Sequence, residues 1–217
     1  MQTEVYTTEL LERHWLSDKT FEAVLSRPAG FEFTPGQRIR LLNQSLERDY
    51  SLVNGTADMH LVLCVRNVSG GKFSPLLATA AIGTRFELTG PHGYFVYRKS
   101  ARCPVFVATG TGIAPFAALA RSGVSGYLLL HGVRQEKDLY YGAVLRPKAR
   151  RYVACLTEDP SSTAGSFCGR VSDYLATQLE SDAYDFYLCG REEMIRDVTW
   201  LVDDHFPGSL VYTEIFY

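Results

Sequence analysis

Near residue 102 the chain changes its rhythm, and that change limits the folds open to it. Before it come short apolar–polar alternations separated by turn residues, with one Ala/Leu-rich stretch among them. Residues 20–25 alternate as a strand does, and 37–42 follow a Pro35-Gly36 turn. Residues 50–53 and 59–65 flank an Asn54-Gly55 pair that predicts a hairpin. A short helix is expected at 75–81 and a strand at 84–88, ahead of Gly90-Pro91. Many short strands with regular turn punctuation predict a small antiparallel β-barrel. After residue 102, apolar runs at 104–108, 126–133, 152–156 and 185–189 alternate with helical segments at 113–121, 138–145, 172–179 and 192–205. A last strand is expected at 210–216. Such alternation predicts an α/β domain, a parallel sheet with helices on both faces. The expected fold class is two domains, an antiparallel β-barrel over residues 1–98 followed by an α/β parallel-sheet domain over 103–217.

The 217 residues suffice for two cores. Lys plus Arg is 22 and Asp plus Glu is 24, a net charge of −2 that points away from nucleic acid and from an anionic membrane surface. The longest apolar stretches, 105–108 and 127–130, are far short of a membrane span. The first residues show no basic segment followed by an apolar one, so a cytoplasmic location is expected. Cys64, Cys103, Cys155, Cys168 and Cys189 are odd in number and dispersed, unlike a disulfide framework or an iron–sulfur ligand loop. His14, His60, His92, His131 and His205 lack metal-site spacing, so no metal is expected. The basic cluster at 146–151 reads as a solvated helix end and loop.

Three segments carry chemistry. Thr109-Gly110-Thr111-Gly112-Ile113-Ala114-Pro115 follows an apolar strand and opens a helix, so its backbone N–H groups can approach a phosphate. It departs from the GxGxxG fingerprint because Pro115 holds the third glycine's place, and a tight turn with no ligand explains it almost as well. Arg48-Asp49-Tyr50-Ser51 begins a barrel strand: arginine can pair a diphosphate, tyrosine can flank a planar ring, and serine can offer a hydroxyl to a ring nitrogen. Alternation sets Arg48 and Tyr50 on one face and Ser51 on the other, and a mixed-face edge strand is the bland alternative. Gly70-Gly71-Lys72-Phe73-Ser74 opens the one barrel helix, with Ser74 expected near its N-cap, as a second anion site.

The ordered set resembles the ferredoxin–NAD(P) reductase family, in its compact bacterial ferredoxin or flavodoxin reductase and oxygenase-associated forms. The segments concerned are Phe31-Glu32-Phe33-Thr34-Pro35-Gly36-Gln37, Arg48-Asp49-Tyr50-Ser51, Gly71-Lys72-Phe73-Ser74-Pro75, the Thr109–Pro115 turn, Gly132-Val133-Arg134, Leu188-Cys189-Gly190 and Glu214-Ile215-Phe216-Tyr217. The resemblance implies FAD held by the barrel and a nicotinamide nucleotide held by the α/β domain. It implies that Arg48 contacts the flavin diphosphate, Tyr50 flanks the ring and Ser51 lies near its N5. By the same likeness Lys72, Phe73 and Ser74 hold the diphosphate, and Cys64 and Val65 lie along the flavin edge. Gly110, Thr111 and Gly112 face the nicotinamide nucleotide's diphosphate, Cys189 with Gly190 sits by the nicotinamide, and Phe216 and Tyr217 stack on the flavin ring and near the adenine. Ser51, Cys189 and Glu214 are the catalytic candidates, shaping the cleft in which hydride passes, with Glu214 relaying a proton or tuning the flavin.

Nucleotide choice turns on Leu156-Thr157-Glu158-Asp159. NADP-using relatives place Ser-Arg there, whereas here Glu158 replaces the arginine and Thr157 the serine. A carboxylate about 4 Å from a 2′-phosphate costs up to roughly 4 kcal/mol per charge pair at an effective dielectric of about 20. Arg134 and Arg170 match positions that hold the 2′-phosphate in some relatives, but they also occur in NADH enzymes. NADH is expected over NADPH. The implied function is a flavin-dependent NAD(P)H oxidoreductase passing single electrons to a separate carrier, a ferredoxin, a flavodoxin or an oxygenase's ferredoxin component; the compact relatives imply a monomer. Two alternatives stay open: an NAD(P)H:flavin reductase, against which Tyr50 argues, and a non-catalytic electron-transfer subunit of a larger complex.

Overall fold

A computed structural model of the chain describes residues 4–158 and 165–216. The chain divides into two compact units, one of Met1–Tyr97 with Ala114–Ser122, the other of Arg98–Ile113 with Gly123–Tyr217.

The first unit is built on strands β1 (Val5–Ser17), β2 (Thr20–Ser26), β3 (Arg38–Asn43), β4 (Leu46–Ser51), β5 (His60–Arg66) and β6 (Arg85–His92). They pair antiparallel in the order β4-β3-β6-β1-β2-β5. The two outer strands also meet: Leu52 bridges Leu63, and the Val53 N–H donates to the Val62 carbonyl at 2.9 Å. These contacts bring the two end strands of the sheet together at one point and curl it into a barrel. Leu10, Phe21, Ile39, Leu41, Leu63 and Phe86 fill it. Helix α1 (Phe73–Thr79) adds Phe73 and Leu77 to this core. Helix α2 (Ala114–Arg121) packs on the same unit, with Phe116 edge-on to Phe95 at 5.7 Å and the Arg121 guanidinium donating to the Val53 carbonyl at 2.9 Å.

The second unit holds β7 (Cys103–Thr109), β8 (Tyr127–Val133), β9 (Ala149–Leu156), β10 (Phe167–Cys168), β11 (Tyr184–Gly190) and β12 (Leu210–Ile215). All pairs are parallel, in the order β10-β9-β8-β7-β11-β12. Its helices are α3 (Gly142–Leu145), α4 (Val171–Gln178) and α5 (Glu192–His205). In α5, Ile195, Val198 and Val202 recur at helical spacing and join Val171, Tyr174 and Leu175 of α4 over Val105, Leu130, Phe186 and Leu188. Alternate strand positions carry aromatic rings, with Phe106 stacked on Tyr127 at 4.5 Å and edge-on to Tyr187 at 5.5 Å. Both faces of the sheet are therefore buried, as a parallel sheet requires. The two architectures are those the sequence predicts.

Three local expectations differ. Asn54-Gly55 makes no two-residue hairpin, because neither residue has the positive φ such a turn needs. Instead the buried Asn54 side chain donates to the Gly55 and His60 carbonyls and accepts from the Val62 N–H at 2.8 Å, holding a wider loop. Arg48-Asp49-Tyr50-Ser51, expected to begin a strand, instead ends β4, which starts at Leu46 after a turn at Gln44 whose φ is 53°; β1 is a further strand that its many polar residues conceal. The helix expected at 138–145 shrinks to Gly142–Leu145, since Leu139 is extended and Tyr141 is left-handed at φ 60°.

Candidate functional site

In the barrel unit the candidates gather where β4 ends. Register pairs Ile39 with Tyr50 and Arg38 with Ser51, so Tyr50 shares a face with the core residue Ile39 while Ser51 lies on the other face. Tyr50 packs its ring near Phe73, centroids 6.1 Å apart, which brings the start of α1 to the end of β4. The Leu52–Leu63 bridge sets β5, with buried Cys64 and Val65, beside the same strand end. Arg48 and Lys72 are exposed. The intervening Asp49 faces Arg38 and Arg40 instead: Arg40 Nε lies 2.6 Å and Arg38 Nε 3.1 Å from its carboxylate. Burial raises the Asp49 pKa, but the bonds and charges of the two arginines outweigh it and hold the carboxyl below its ordinary range. That cluster fixes β4 against β3.

Two buried oxygens at this strand end, Tyr50 Oη and Ser51 Oγ, have no hydrogen-bond partner. Burial also pushes the Tyr50 phenol far up, so it stays a neutral donor. Unsatisfied buried hydroxyls are costly unless a ligand completes them. Ser74, expected near the helix N-cap, lies two residues inside α1 behind Lys72 as N-cap, and its Oγ accepts the Val68 N–H at 3.1 Å. Its hydroxyl thus ties down the glycine loop.

In the second unit every described candidate lies on one edge. Because all strands are parallel, their carboxyl ends share it, and the chain order reverses about β7, which has β8 on one side and β11 on the other. Ligands of open α/β sheets bind at such a switch point. Here β7 runs into a 3-10 turn over Gly110–Ile113, which packs tightly on the end of β11. A Cβ on Gly112 would lie 2.3 Å from the Cys189 carbonyl oxygen, and one on Gly190 would lie 2.1 Å from Thr109 Oγ1. By contrast a Cβ on Gly110 would meet nothing within 4 Å, so the turn's outer side is open to a ligand. Register aligns Cys189 with Glu214, and beyond β12 the Phe216 N–H donates to the Gly190 carbonyl at 2.9 Å. Burial first, then the Glu214 charge, push the Cys189 thiol well above its usual range, so it stays protonated and is no nucleophile.

Thr157 and Glu158 follow β9, their N–H groups donating to the Val133 and Arg134 carbonyls. An oxygen of the Glu158 carboxylate lies 3.5 Å from Arg134 Nε, so the arginine faces a negative charge of its own chain. Arg170 precedes α4, its backbone N–H held by the Asp173 carboxylate at 2.9 Å. Tyr217 and Asp159 lie outside the described residues. One residue that sequence reasoning missed is His131 of β8, fully buried, with Nε2 at 3.1 Å from the Gly110 carbonyl and Nδ1 at 3.2 Å from Tyr152 Oη. The available signal was a lone imidazole inside an apolar strand.

The comparisons with known proteins agree with both halves. An oxidoreductase FAD-binding domain matches residues 8–97, and an oxidoreductase NAD-binding domain matches residues 106–199. The 2-halobenzoate 1,2-dioxygenase electron transfer component of Burkholderia cepacia is 27% identical over 95% of this chain and 65% of its own length. Ferredoxin–NADP reductase B of Sorangium cellulosum is 28% identical over 90% of both chains. The crystal structure of an Amycolatopsis cytochrome P450 reductase superposes with a TM-score of 0.84 at 26% identity, covering 99% of this chain and 71% of that one. The chain spans about half to two thirds of the length of the oxygenase components it matches. With an FAD-binding domain followed by an NAD-binding domain over most of its length, the chain belongs to the ferredoxin–NAD(P) reductase family.

Proposed function

We propose that this protein is a flavin-dependent NAD(P)H oxidoreductase that passes electrons between a nicotinamide nucleotide and a separate one-electron carrier. The carrier is a ferredoxin or flavodoxin, or the ferredoxin-type component of an oxygenase; the dioxygenase relative is itself named an electron transfer component. The observation that carries this reading is the joining, in one chain, of a matched FAD-binding and a matched NAD-binding domain, the first with two unpartnered buried hydroxyls. FAD, when bound, supplies the change from two-electron hydride chemistry to one-electron transfer. On this reading residues 1–98 hold FAD and 103–217 the nucleotide, in a cytoplasmic protein that acts as a monomer. Tyr50 flanks the flavin ring, Ser51 donates its hydroxyl near N5, Cys64 and Val65 line the ring's edge, and Arg48 with Lys72, Phe73 and Ser74 holds the diphosphate. Gly110, Thr111 and Gly112 hold the nucleotide's diphosphate, and Cys189 with Gly190 forms the floor beneath the nicotinamide. Phe216 and Tyr217 cover the flavin ring until the nicotinamide displaces them, and Glu214 holds or moves a proton beside Cys189.

NADH is the favoured donor. A free arginine at the adenosine ribose attracts a 2′-phosphate, but Arg134 lies beside Glu158, whose carboxylate repels that phosphate and can accept from ribose hydroxyls. Arg170 and Thr157 complete the ribose side. Anaerobic stopped-flow reduction of the FAD-loaded protein by NADH and by NADPH tests both levels. Fast bleaching of the visible flavin band by NADH and slow bleaching by NADPH is expected, and Glu158→Arg should raise the NADPH:NADH ratio of kcat/KM at least about tenfold. Bleaching by neither nucleotide would overturn the oxidoreductase reading, and an unchanged ratio in Glu158→Arg would remove Glu158 from the ribose site.

A further inference from the structure

The buried His131 is explained by none of these roles. It lies on β8, one strand over from the Gly110 turn, and has no exposed surface. Burial holds its pKa down to about 4, so at neutral pH the ring carries a single N–H. A carbonyl oxygen can only accept, so the Nε2 contact with Gly110 at 3.1 Å makes Nε2 the protonated nitrogen. Nδ1 is then an acceptor, and the Tyr152 hydroxyl at 3.2 Å must be its donor. Tyr152 is held in turn from outside, with the Arg146 guanidinium 4.2 Å over its ring. One tautomer and one ring orientation satisfy the whole chain of contacts.

The consequence falls on the peptide between Gly110 and Thr111. In a trans peptide the C=O and the following N–H point in opposite directions. Drawing the Gly110 oxygen inward to a buried imidazole therefore turns the Thr111 N–H outward. Gly110 itself sits at φ +53°, a conformation glycine alone takes cheaply, with open space where a side chain would be. Glycine permits this turn but does not choose it, since the same freedom allows the peptide to flip. The 3-10 turn over Gly110–Ile113 shapes the local path, and His131 is the polar side chain bonded to the Gly110 carbonyl, adding a second hold on that peptide.

We propose that His131 is a positioning residue for nucleotide binding: by holding the Gly110 carbonyl, with Tyr152 behind it, it presents the Thr111 amide to the diphosphate. This rests on reading the second unit as the nicotinamide-nucleotide site. His131 touches no substrate, and its effect is specific to a ligand that carries phosphates.

The test compares ADP-ribose, which carries a diphosphate, with adenosine, which does not, by ligand-observed NMR titration of the FAD-loaded protein. In His131→Leu the dissociation constant for ADP-ribose should rise about tenfold while that for adenosine stays within about twofold. His131→Gln, whose amide can still donate to Gly110, should recover most of the loss, which a packing role for the imidazole would not predict. Equal loss of both ligands, or unchanged ADP-ribose binding in His131→Leu, overturns the proposal. If His131→Leu does not fold, Tyr152→Phe carries the test, with ADP-ribose weakened about threefold expected and unchanged binding overturning it. Wild-type protein that binds no ADP-ribose would overturn the nucleotide reading of the unit together with this proposal, whereas wild-type binding with an unaffected variant overturns this proposal alone.

Discussion

A neutral imidazole sealed inside a protein makes stability depend on pH, and His131 should do so measurably. Its pKa falls from 6.5 to about 4 on folding, chiefly through burial. Between those values the unfolded chain binds a proton that the folded one refuses, so stability is greatest above about pH 6.5 and declines as pH falls toward about 4. At about 1.4 kcal/mol per pH unit the loss approaches about 3 kcal/mol. Urea unfolding of wild type and His131→Gln at several pH values checks this. The wild type should lose stability relative to the variant across that window, and parallel curves would show that the imidazole does not titrate there. Cys189 shows the same physics with opposite sign: burial and the neighbouring Glu214 keep its thiol protonated, which makes it a poor attacking group.

At the scale of elements, the β7 turn separates two uses of glycine. Gly110 needs its positive φ but has open space around it, so Gly110→Ala should cost about 1 kcal/mol of backbone strain. Gly112 has the reverse problem: a methyl there would lie 2.3 Å from a backbone oxygen of β11 that cannot swing away. Gly112→Ala should cost about 3 kcal/mol or more by forcing turn and strand apart. Urea midpoints of the two variants give the order, and Gly110→Ala being the worse would reverse the argument. Most elements of this unit were legible in the sequence, because buried parallel strands read as apolar runs and α5 keeps its helical spacing over fourteen residues. The failures share a cause. β1 is polar along much of its length, the Asn54 loop is set by a side chain reaching three backbone partners, and the short α3 is cut by a left-handed Tyr141. Periodicity reports burial on one face and is blind to such local hydrogen bonds and dihedrals. The glycine turn and the Arg48–Ser51 strand were visible as residue types; the support given by His131 and Asp49 was not, since it depends on which strands become neighbours.

For the molecule as a whole, the two units differ in how they treat their edges. The barrel closes on itself through Leu52 and Leu63, whereas the parallel sheet ends in the two-residue β10 on one side and in β12 on the other. No helix among the described residues is long and apolar enough to cross a membrane. The units also do not follow one cut in the sequence, for α2 belongs with the barrel although it follows β7. Phe116→Ala should therefore be felt as a barrel mutation. Removing a buried ring that meets Phe95 edge-on should cost about 3 kcal/mol and release FAD at lower urea, read by the rise in flavin fluorescence. FAD retention equal to wild type would separate α2 from the barrel. The same feature bears on ancestry and on engineering. If nature or a designer exchanges nucleotide halves between relatives, a single crossover near residue 98 brings in a foreign α2 that must replace the contacts Phe116 and Arg121 make with Phe95 and Val53. Chimeras that keep the native Ala114–Ser122 segment while replacing Arg98–Ile113 and Gly123–Tyr217 should therefore stay closer to wild-type stability than those joined by a single cut, because the interrupted seam leaves the first unit whole.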